Sequence, residues 1–180
     1  LRRDGFDVQQ GHHAAAVGDA DLVVYSTAVP ASNPELCQAR AQGITTVSRA
    51  ELLGAFSSQF LTIAVAGSHG KTTTSSMLAA ILTTAGWDIS TAIGGWRNGS
   101  AQARLGTDRH FVVEADEYQR AFFHLLPSWA IVTSVDAEHL DCYADLAAVE
   151  AAFARFLARI PFYGHAIIAG DGSIGRGATE

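Results

Sequence analysis

The sequence is poor in the features that mark several classes of protein. Its 12 basic residues form no block, and with a net charge of −6 the chain lacks the surface of a nucleic-acid binder. Its apolar runs are too short and too often interrupted to cross a membrane, and no charged and apolar leader segment opens it. We therefore expect a cytoplasmic protein that binds neither nucleic acid nor a membrane.

Cysteine is also scarce. Cys37 and Cys142 are the only two, and their spacing is not that of a metal site. Free thiols in a reducing compartment are the simpler interpretation, and a structural disulfide is the alternative.

Hydrophobic residues are abundant and make up 48% of the sequence. They are arranged in alternating strand and helix patterns. Helices are predicted to begin after the capping residues Asn33 and Ser48. Short strands are predicted at 6–9, 21–26 and 44–47. Such alternation is typical of an α/β fold, in which helices cover the faces of a parallel sheet.

A small polar stretch, 54–59, separates that region from the segment on which the rest depends. An apolar run at 60–66 predicts a buried strand, a turn bounded by Gly67 and Gly70 follows, and a helical pattern begins near Lys71. A strand, a glycine turn and a helix opened by Lys-Thr form a phosphate cradle, because the turn and the helix N-terminus offer backbone N–H groups to an anion. The predicted nucleotide-binding residues are Gly67, Ser68, His69, Gly70, Lys71, Thr72 and Thr73.

Two residues of this cradle carry specific chemistry. Lys71 can place a positive charge against the β- and γ-phosphates, and the Thr72 hydroxyl can bind Mg²⁺. Val65 stands where such loops usually have a glycine, so the alternative is a simple glycine turn beside a surface lysine. The flanking strand and helix patterns favour the cradle.

Polar residues also follow two later strand patterns. Glu114 and Asp116 come directly after the strand predicted at 111–113, and His139 follows the strand predicted at 129–135. Carboxylates at the carboxyl end of a strand beside a phosphate cradle suit Mg²⁺, and alternation would put both on one side. An imidazole can bind a metal or face phosphate. The alternatives are a solvated acidic strand end and a structural histidine.

Two loops keep two interpretations each. The loop at 26–33 lies at the carboxyl end of a predicted strand, where parallel sheets bind ligands, although a plain connection explains it more simply. The glycine-rich loop at 94–100, which contains Trp96, is either a mobile substrate loop or a tight turn.

Several of these motifs together resemble the Mur ligases of peptidoglycan synthesis. The similar segments are 67–74, 114–118 and 136–141, together with 25–29, 33–35 and 48–53. The resemblance implies an α/β fold in which 1–57 is the rear, Rossmann-like part of a UDP-substrate-binding domain. Residues 58–180 would then be the front part of a P-loop ATPase-type domain with a parallel sheet. The family's third, C-terminal domain would be absent, so the chain is expected to be a fragment that is inactive alone.

Within the family, the motifs are most similar to those of members that join L-alanine to UDP-N-acetylmuramate. The implied reaction uses ATP to phosphorylate the muramoyl carboxylate, and the amine of L-alanine then attacks the acyl phosphate. By resemblance, Lys71 holds phosphate, Thr72 and Glu114 hold one Mg²⁺, and His139 helps to hold a second. Lys71 and His139 are thus the predicted catalytic residues, and Thr72, Glu114 and His139 the predicted metal ligands.

The sequence departs mildly from the family pattern at Ser68, and it departs at four further positions to which no role is assigned: Gln102, Gln119, Ser134 and Glu138. The segment 118–123 is similar to the related ligase that recycles murein tripeptide, which is the first alternative function. A nucleotide-binding module without catalysis is the second, and a P-loop switch or transport ATPase is the third. The oligomeric state stays open.

Overall fold

The protein is described by a computed structural model that covers residues 5–94, 102–137 and 142–170. The chain divides into two compact units, Leu1–Leu52 and Leu53–Glu180. The boundary expected from the sequence, after residue 57, lies a few residues further along, at the end of a helix. The division into domains at residue 57 stays a prediction.

The first unit contains two parallel strands and a helix between them. Strands β1 (Leu22–Tyr25) and β2 (Thr45–Ser48) pair from Leu22 with Thr45 to Tyr25 with Ser48, and α1 (Pro34–Ala41) connects them. The Asn33 side chain caps α1 by accepting hydrogen bonds from two backbone N–H groups, at 2.9 and 3.3 Å. The predicted cap is therefore confirmed, and the loop at 26–33 leads into it.

Helix α2 (Arg49–Ser57) begins with the predicted capping box. The Ser48 hydroxyl accepts from the Glu51 N–H at 3.1 Å, and the Glu51 carboxylate accepts from the Ser48 N–H at 2.6 Å. The strand predicted at 6–9 is wrong, because these residues form no strand and Phe6 is 61% exposed. The residues at 6–9 are exposed or only partly buried, so they bury little apolar surface that would stabilise a strand.

The second unit is built on a six-stranded sheet with the order β5-β4-β6-β3-β7-β8. All neighbouring strands are parallel except β4 and β5, which are antiparallel. The strands are β3 (Leu61–Ala66), β4 (Ser90–Ala92), β5 (Ala103–Arg104), β6 (His110–Glu114), β7 (Trp129–Val132) and β8 (His165–Ile168). The predicted α/β fold with parallel sheets is confirmed, and β3 lies in the interior of the sheet, with its residues 62–66 buried.

Helices cover both faces of this sheet. On one face, α3 (Lys71–Thr84) packs through Ala79 against a cluster that includes Ile63 and Val112. On the other face, α4 (Leu146–Leu157) packs Phe153 and Phe156 against the alternate residues of the same strands. No helix among the described residues is long and apolar enough to span a membrane.

The two cysteines are free thiols, as the sequence predicts. Cys37 is exposed and Cys142 is partly buried.

Between β6 and β7 the chain makes a turn that the sequence did not predict. Residues Tyr118–His124 form an irregular 3₁₀ helix that is interrupted at Gln119 and Arg120, whose φ angles are +50° and +59°. Positive φ is uncommon for residues other than glycine, and it is maintained only where the surroundings fix the chain. This turn sets the direction of the acidic segment that precedes it.

Candidate active site

The predicted cradle forms at the carboxyl end of β3. The strand ends at Ala66, a four-residue loop follows, and α3 begins at Lys71. Gly67 has a φ of +133°, and a Cβ atom there would collide with the Thr133 hydroxyl. Gly70, with a φ of +80°, is the left-handed residue that turns the chain into α3. Both glycines are therefore required by the backbone path itself.

The loop is fastened to the segment that follows β7. The Ser68 N–H donates to the Ser134 carbonyl at 2.9 Å, and the His69 N–H donates to the Ser134 hydroxyl at 3.0 Å. The Asp136 N–H donates in turn to the Ser68 hydroxyl at 2.9 Å. Ser134, a position where the sequence departs from the family pattern, thus supports the loop and engages two of its N–H groups.

Among the residues that the structure describes, no side chain caps the N-terminus of α3. Its N-cap residue is Gly70, and the first hydrogen bond of the helix runs from the Thr74 N–H to the Gly70 carbonyl at 2.9 Å. The N–H groups of Lys71, Thr72 and Thr73 precede that bond, so no helical carbonyl is available to them. A 14-residue helix with such an end is suited to bind an anion.

Lys71 lies inside this arrangement and is held by a carboxylate that the sequence reasoning did not assign. Its ammonium group lies 2.9 Å from both carboxylate oxygens of Glu117 and donates to the Gly67 carbonyl at 2.6 Å. The two side chains are only 18% and 2% exposed. A partly buried lysine and a buried glutamate at this distance form a charge-assisted and largely desolvated ion pair.

The backbone of Glu117 is also fixed. The Tyr143 hydroxyl donates to the Glu117 carbonyl at 2.7 Å, and the Arg120 N–H donates to the same oxygen at 2.9 Å. Burial raises the pKa of Tyr143, which keeps its hydroxyl protonated and able to donate. The turn after β6 and the tyrosine together place this carboxylate against the cradle.

Glu114 reaches the same edge of the sheet from β6. It pairs in register with Val65, two residues before Gly67. Its Oε1 atom is buried and has no hydrogen-bond partner in the part of the chain that the structure describes. An unpartnered buried carboxylate oxygen is costly in free energy unless a cation or a proton satisfies it, so this position fits a ligand of a divalent cation.

Asp116 does not share that environment. The alternation that would put it beside Glu114 ends with β6, and its carboxylate instead accepts a hydrogen bond from the Tyr118 N–H at 3.0 Å. The expectation that both carboxylates lie on one side stays a prediction, because it assumed a strand that continues to Asp116, whereas β6 ends at Glu114.

The remaining predicted residues lie outside the described ranges. His139 and Glu138 belong to the stretch 138–141, and Trp96 belongs to the stretch 95–101. Within the described ranges, no group of three histidine, cysteine or acidic side chains could hold a metal ion by itself. A cation at Glu114 would therefore need the Thr72 hydroxyl and ligand oxygens as well.

Two family models together match most of the sequence. The model of the Mur ligase middle domain matches residues 65–179, and that of the Mur ligase family catalytic domain matches residues 1–61. The chain belongs to the Mur ligase family. The resemblance inferred from the motifs is thus confirmed, and the cradle of this Mur ligase chain lies in the region of the middle domain.

Individual relatives show how much of a Mur ligase is present. A UDP-N-acetylmuramate–L-alanine ligase of Solidesulfovibrio magneticus is 47% identical over 93% of the chain, which corresponds to 37% of that relative. The chain therefore spans little more than a third of the length of the curated relatives it matches.

Two solved structures are similar in fold. The crystal structure of a UDP-N-acetylmuramate:L-alanyl-gamma-D-glutamyl-meso-diaminopimelate ligase from Neisseria matches with a TM-score of 0.87 and 29% identity, over 98% of this chain and 60% of that one. The UDP-N-acetylmuramate-alanine ligase of Thermotoga maritima matches with a TM-score of 0.84 and 24% identity, over 96% of this chain and 40% of that one. The second match supports the fold alone.

Proposed function

We propose that this Mur ligase chain is part of an ATP-dependent ligase that joins L-alanine to UDP-N-acetylmuramate during the synthesis of peptidoglycan precursors. The observation that carries the proposal is the meeting, at one sheet edge, of Lys71, the N-terminus of α3 and a Glu114 oxygen. In the described part of the chain, that N-terminus has no side-chain cap and that oxygen has no hydrogen-bond partner. The 47% identity to a ligase of that name supports the choice of substrates.

The reaction needs activation because a carboxylate is a poor acyl donor. An oxygen of the muramoyl carboxylate attacks the γ-phosphorus of ATP, and ADP leaves. The amine nitrogen of L-alanine then forms the amide bond to the carbonyl carbon, phosphate leaves, and the nitrogen loses a proton. Several anions meet in these steps, so the site must supply positive charge and oriented N–H groups.

The residues of the cradle are suited to that task. The N–H groups of Lys71, Thr72 and Thr73 face the phosphates from the end of α3, and the Lys71 ammonium group supplies a positive charge. We assign one Mg²⁺ to the Thr72 hydroxyl and the Glu114 carboxylate, and part of a second to His139. Bound there, Mg²⁺ would neutralise phosphate charge and polarise the phosphorus that is attacked.

The first unit has a separate role in this proposal. Residues 1–57 would contribute to the site for the UDP sugar, and residues 58–180 to the site for ATP. The partners are then small molecules in the cytoplasm, with neither nucleic acid nor a membrane involved.

A murein tripeptide ligase is the second candidate. The specific observation in its favour is the TM-score of 0.87 to the Neisseria ligase, whose name gives a tripeptide substrate. The two candidates share the ATP chemistry and differ in the amine that attacks the acyl phosphate.

A chimeric enzyme would separate these functions. The 168 aligned residues of the Solidesulfovibrio ligase are replaced by the aligned part of this chain, and release of phosphate from ATP is measured. We expect release only when UDP-N-acetylmuramate and L-alanine are both present. Equal stimulation by the tripeptide would favour the recycling ligase, and nucleotide binding without turnover would indicate a non-catalytic module.

The same chimera tests the role assigned to His139. We expect His139→Ala to raise the Mg²⁺ concentration needed for half-maximal phosphate release, and an unchanged Mg²⁺ dependence would contradict the assignment.

A further inference from the structure

We propose that Glu117 is the internal counter-ion of Lys71, which holds the ammonium group in the cradle in the absence of nucleotide and is exchanged for phosphate oxygens when nucleotide binds. Glu117 would then be a positioning residue of the site. The inference rests on the proposed function, because it assumes that the cradle binds the phosphates of ATP.

Lys71 can donate only a limited number of hydrogen bonds. An ammonium group has three N–H donors. In this structure they face the Gly67 carbonyl at 2.6 Å and the two Glu117 oxygens at 2.9 Å each, with the Ser68 carbonyl at 3.4 Å. Lys71 therefore cannot donate to a phosphate without giving up at least one of these contacts.

The negative charge of Glu117 also opposes the binding of phosphate. The Glu117 side chain is only 2% exposed, so its negative charge is poorly screened by water and repels an incoming phosphate. Lys71 is the only lysine among the 180 residues, so no other lysine is present to take over this contact. Binding of phosphate thus competes with the ion pair for one positive charge.

Of the two partners, Lys71 is the one that can move. The backbone of Glu117 is fixed by the hydrogen bond from Tyr143 and by the turn through Gln119 and Arg120. Lys71 instead carries its charge on a flexible four-carbon stem, is 18% exposed, and lies in the first turn of α3, next to the N–H groups that would bind phosphate. The geometry therefore favours a lysine that turns from Glu117 toward the nucleotide.

The consequence for binding is opposite to that of an ordinary site residue. Removing the charge of Glu117 eliminates a competitor, so Glu117→Gln should bind ATP with Mg²⁺ about tenfold more tightly than the wild type, which corresponds to about 1.4 kcal/mol. Calorimetric titration of the 180-residue chain measures this. Glu150→Gln, on α4, removes the same charge from the same unit without touching the Lys71 contacts, and we expect wild-type affinity for it.

The single lysine provides a second, spectroscopic measurement on the wild type. A chain labelled with ¹⁵N only in lysine gives one side-chain ammonium signal, which is observable because its protons are held in hydrogen bonds. We expect this signal to move to a new position on saturation with ATP and Mg²⁺. In Glu117→Gln without nucleotide, it should broaden through faster proton exchange, and with nucleotide it should coincide with the bound wild-type signal.

The outcomes separate this inference from the function on which it rests. If the wild type binds ATP but its lysine signal does not move, Glu117 is a structural partner of Lys71 only. A folded Glu117→Gln variant with unchanged or weaker affinity would overturn the inference in the same way. If that variant does not fold, the wild-type signal decides alone. Absence of any nucleotide binding by the wild type would instead refute the proposed ATP site together with the inference.

Discussion

At the scale of single residues, Gly67 illustrates how tightly the loop is built against its neighbours. Its φ of +133° is a backbone conformation that other residues rarely adopt, and a Cβ atom at this position would lie too close to Thr133 and Ser134. A side-chain methyl group at this position would be strained by the positive φ and would also collide with the neighbouring atoms.

We expect Gly67→Ala to lower the free energy of unfolding by at least about 2 kcal/mol and to abolish nucleotide binding, because the loop must separate from residues 133–136. Urea denaturation and calorimetric titration measure the two effects. Gly86→Ala is the matched control, since Gly86 also has a positive φ, +93°, but has open space around it. Conformational strain alone should lower its stability by only about 1 kcal/mol. Equal effects of the two substitutions would show that the collision is unimportant.

His110 is a second residue with a testable property, at the opposite end of β6 from Glu114. Its ring stacks on Trp87 with centroids 4.3 Å apart, and among the described residues its buried Nδ1 atom has no hydrogen-bond partner. Burial, with a smaller contribution from the neighbouring Arg109, lowers the pKa of His110 below its usual value of 6.5. The folded protein therefore keeps this imidazole neutral at a pH where the unfolded chain protonates it.

Below pH 6.5 the unfolded state binds more protons than the folded state at this residue, so the free energy of unfolding decreases as the pH falls from 6.5 toward the lowered pKa. We expect His110→Phe, which can still stack on Trp87, to lose less stability than the wild type between pH 7.5 and pH 5.5. Urea denaturation at the two pH values is the measurement, and parallel losses would contradict the shifted pKa.

At the scale of elements, the helix starts are the features that sequence reasoning predicted best. Asn33 and Ser48 are both confirmed as capping residues, because a cap depends on the few residues that follow it. The role of Glu117 was not predicted, because its contact depends on residues that are distant in the sequence. Its contact with Lys71, 46 residues away, depends on where β6 ends and on positive φ angles at Gln119 and Arg120. Nothing in the local pattern of the sequence specifies those angles.

The cap of α4 offers a test at this scale. The Asp145 carboxylate accepts a hydrogen bond from the Ala148 N–H at 2.8 Å, and α4 packs two phenylalanines against the sheet. We expect Asp145→Ala to lower the free energy of unfolding by about 1 kcal/mol, since one N–H group of the helix loses its partner. Asp145→Ser retains a capping oxygen and should recover most of the loss. Equal stability of the three proteins in thermal or urea denaturation would exclude a capping contribution.

At the scale of the whole molecule, the two units have different predicted ligands. The cradle, Glu114 and Glu117 all belong to Leu53–Glu180, the unit with the proposed ATP site. Leu1–Leu52 is the unit proposed to contribute to the site for the UDP sugar.

The motifs identified the family from the sequence alone because they lie in short contiguous segments. The support of the loop by Ser134 depends on the pairing of β3 with β7, and the sequence pattern did not reveal it.

This division predicts which backbone amides a nucleotide protects from hydrogen exchange. A ligand stabilises the cooperatively folded unit that binds it, by about 2.7 kcal/mol at a concentration about 100 times its Kd. With ATP and Mg²⁺ we therefore expect slower exchange in β3, α3, the end of β6 and residues 133–136, and unchanged exchange in β1 and β2. Mass spectrometry of the 180-residue chain measures both sets of peptides at once, with Lys71→Met as the variant that should show weakened protection. Protection spread equally over both units would mean that they unfold as one cooperative body, and protection confined to β1 and β2 would place the nucleotide in the first unit and contradict the cradle assignment.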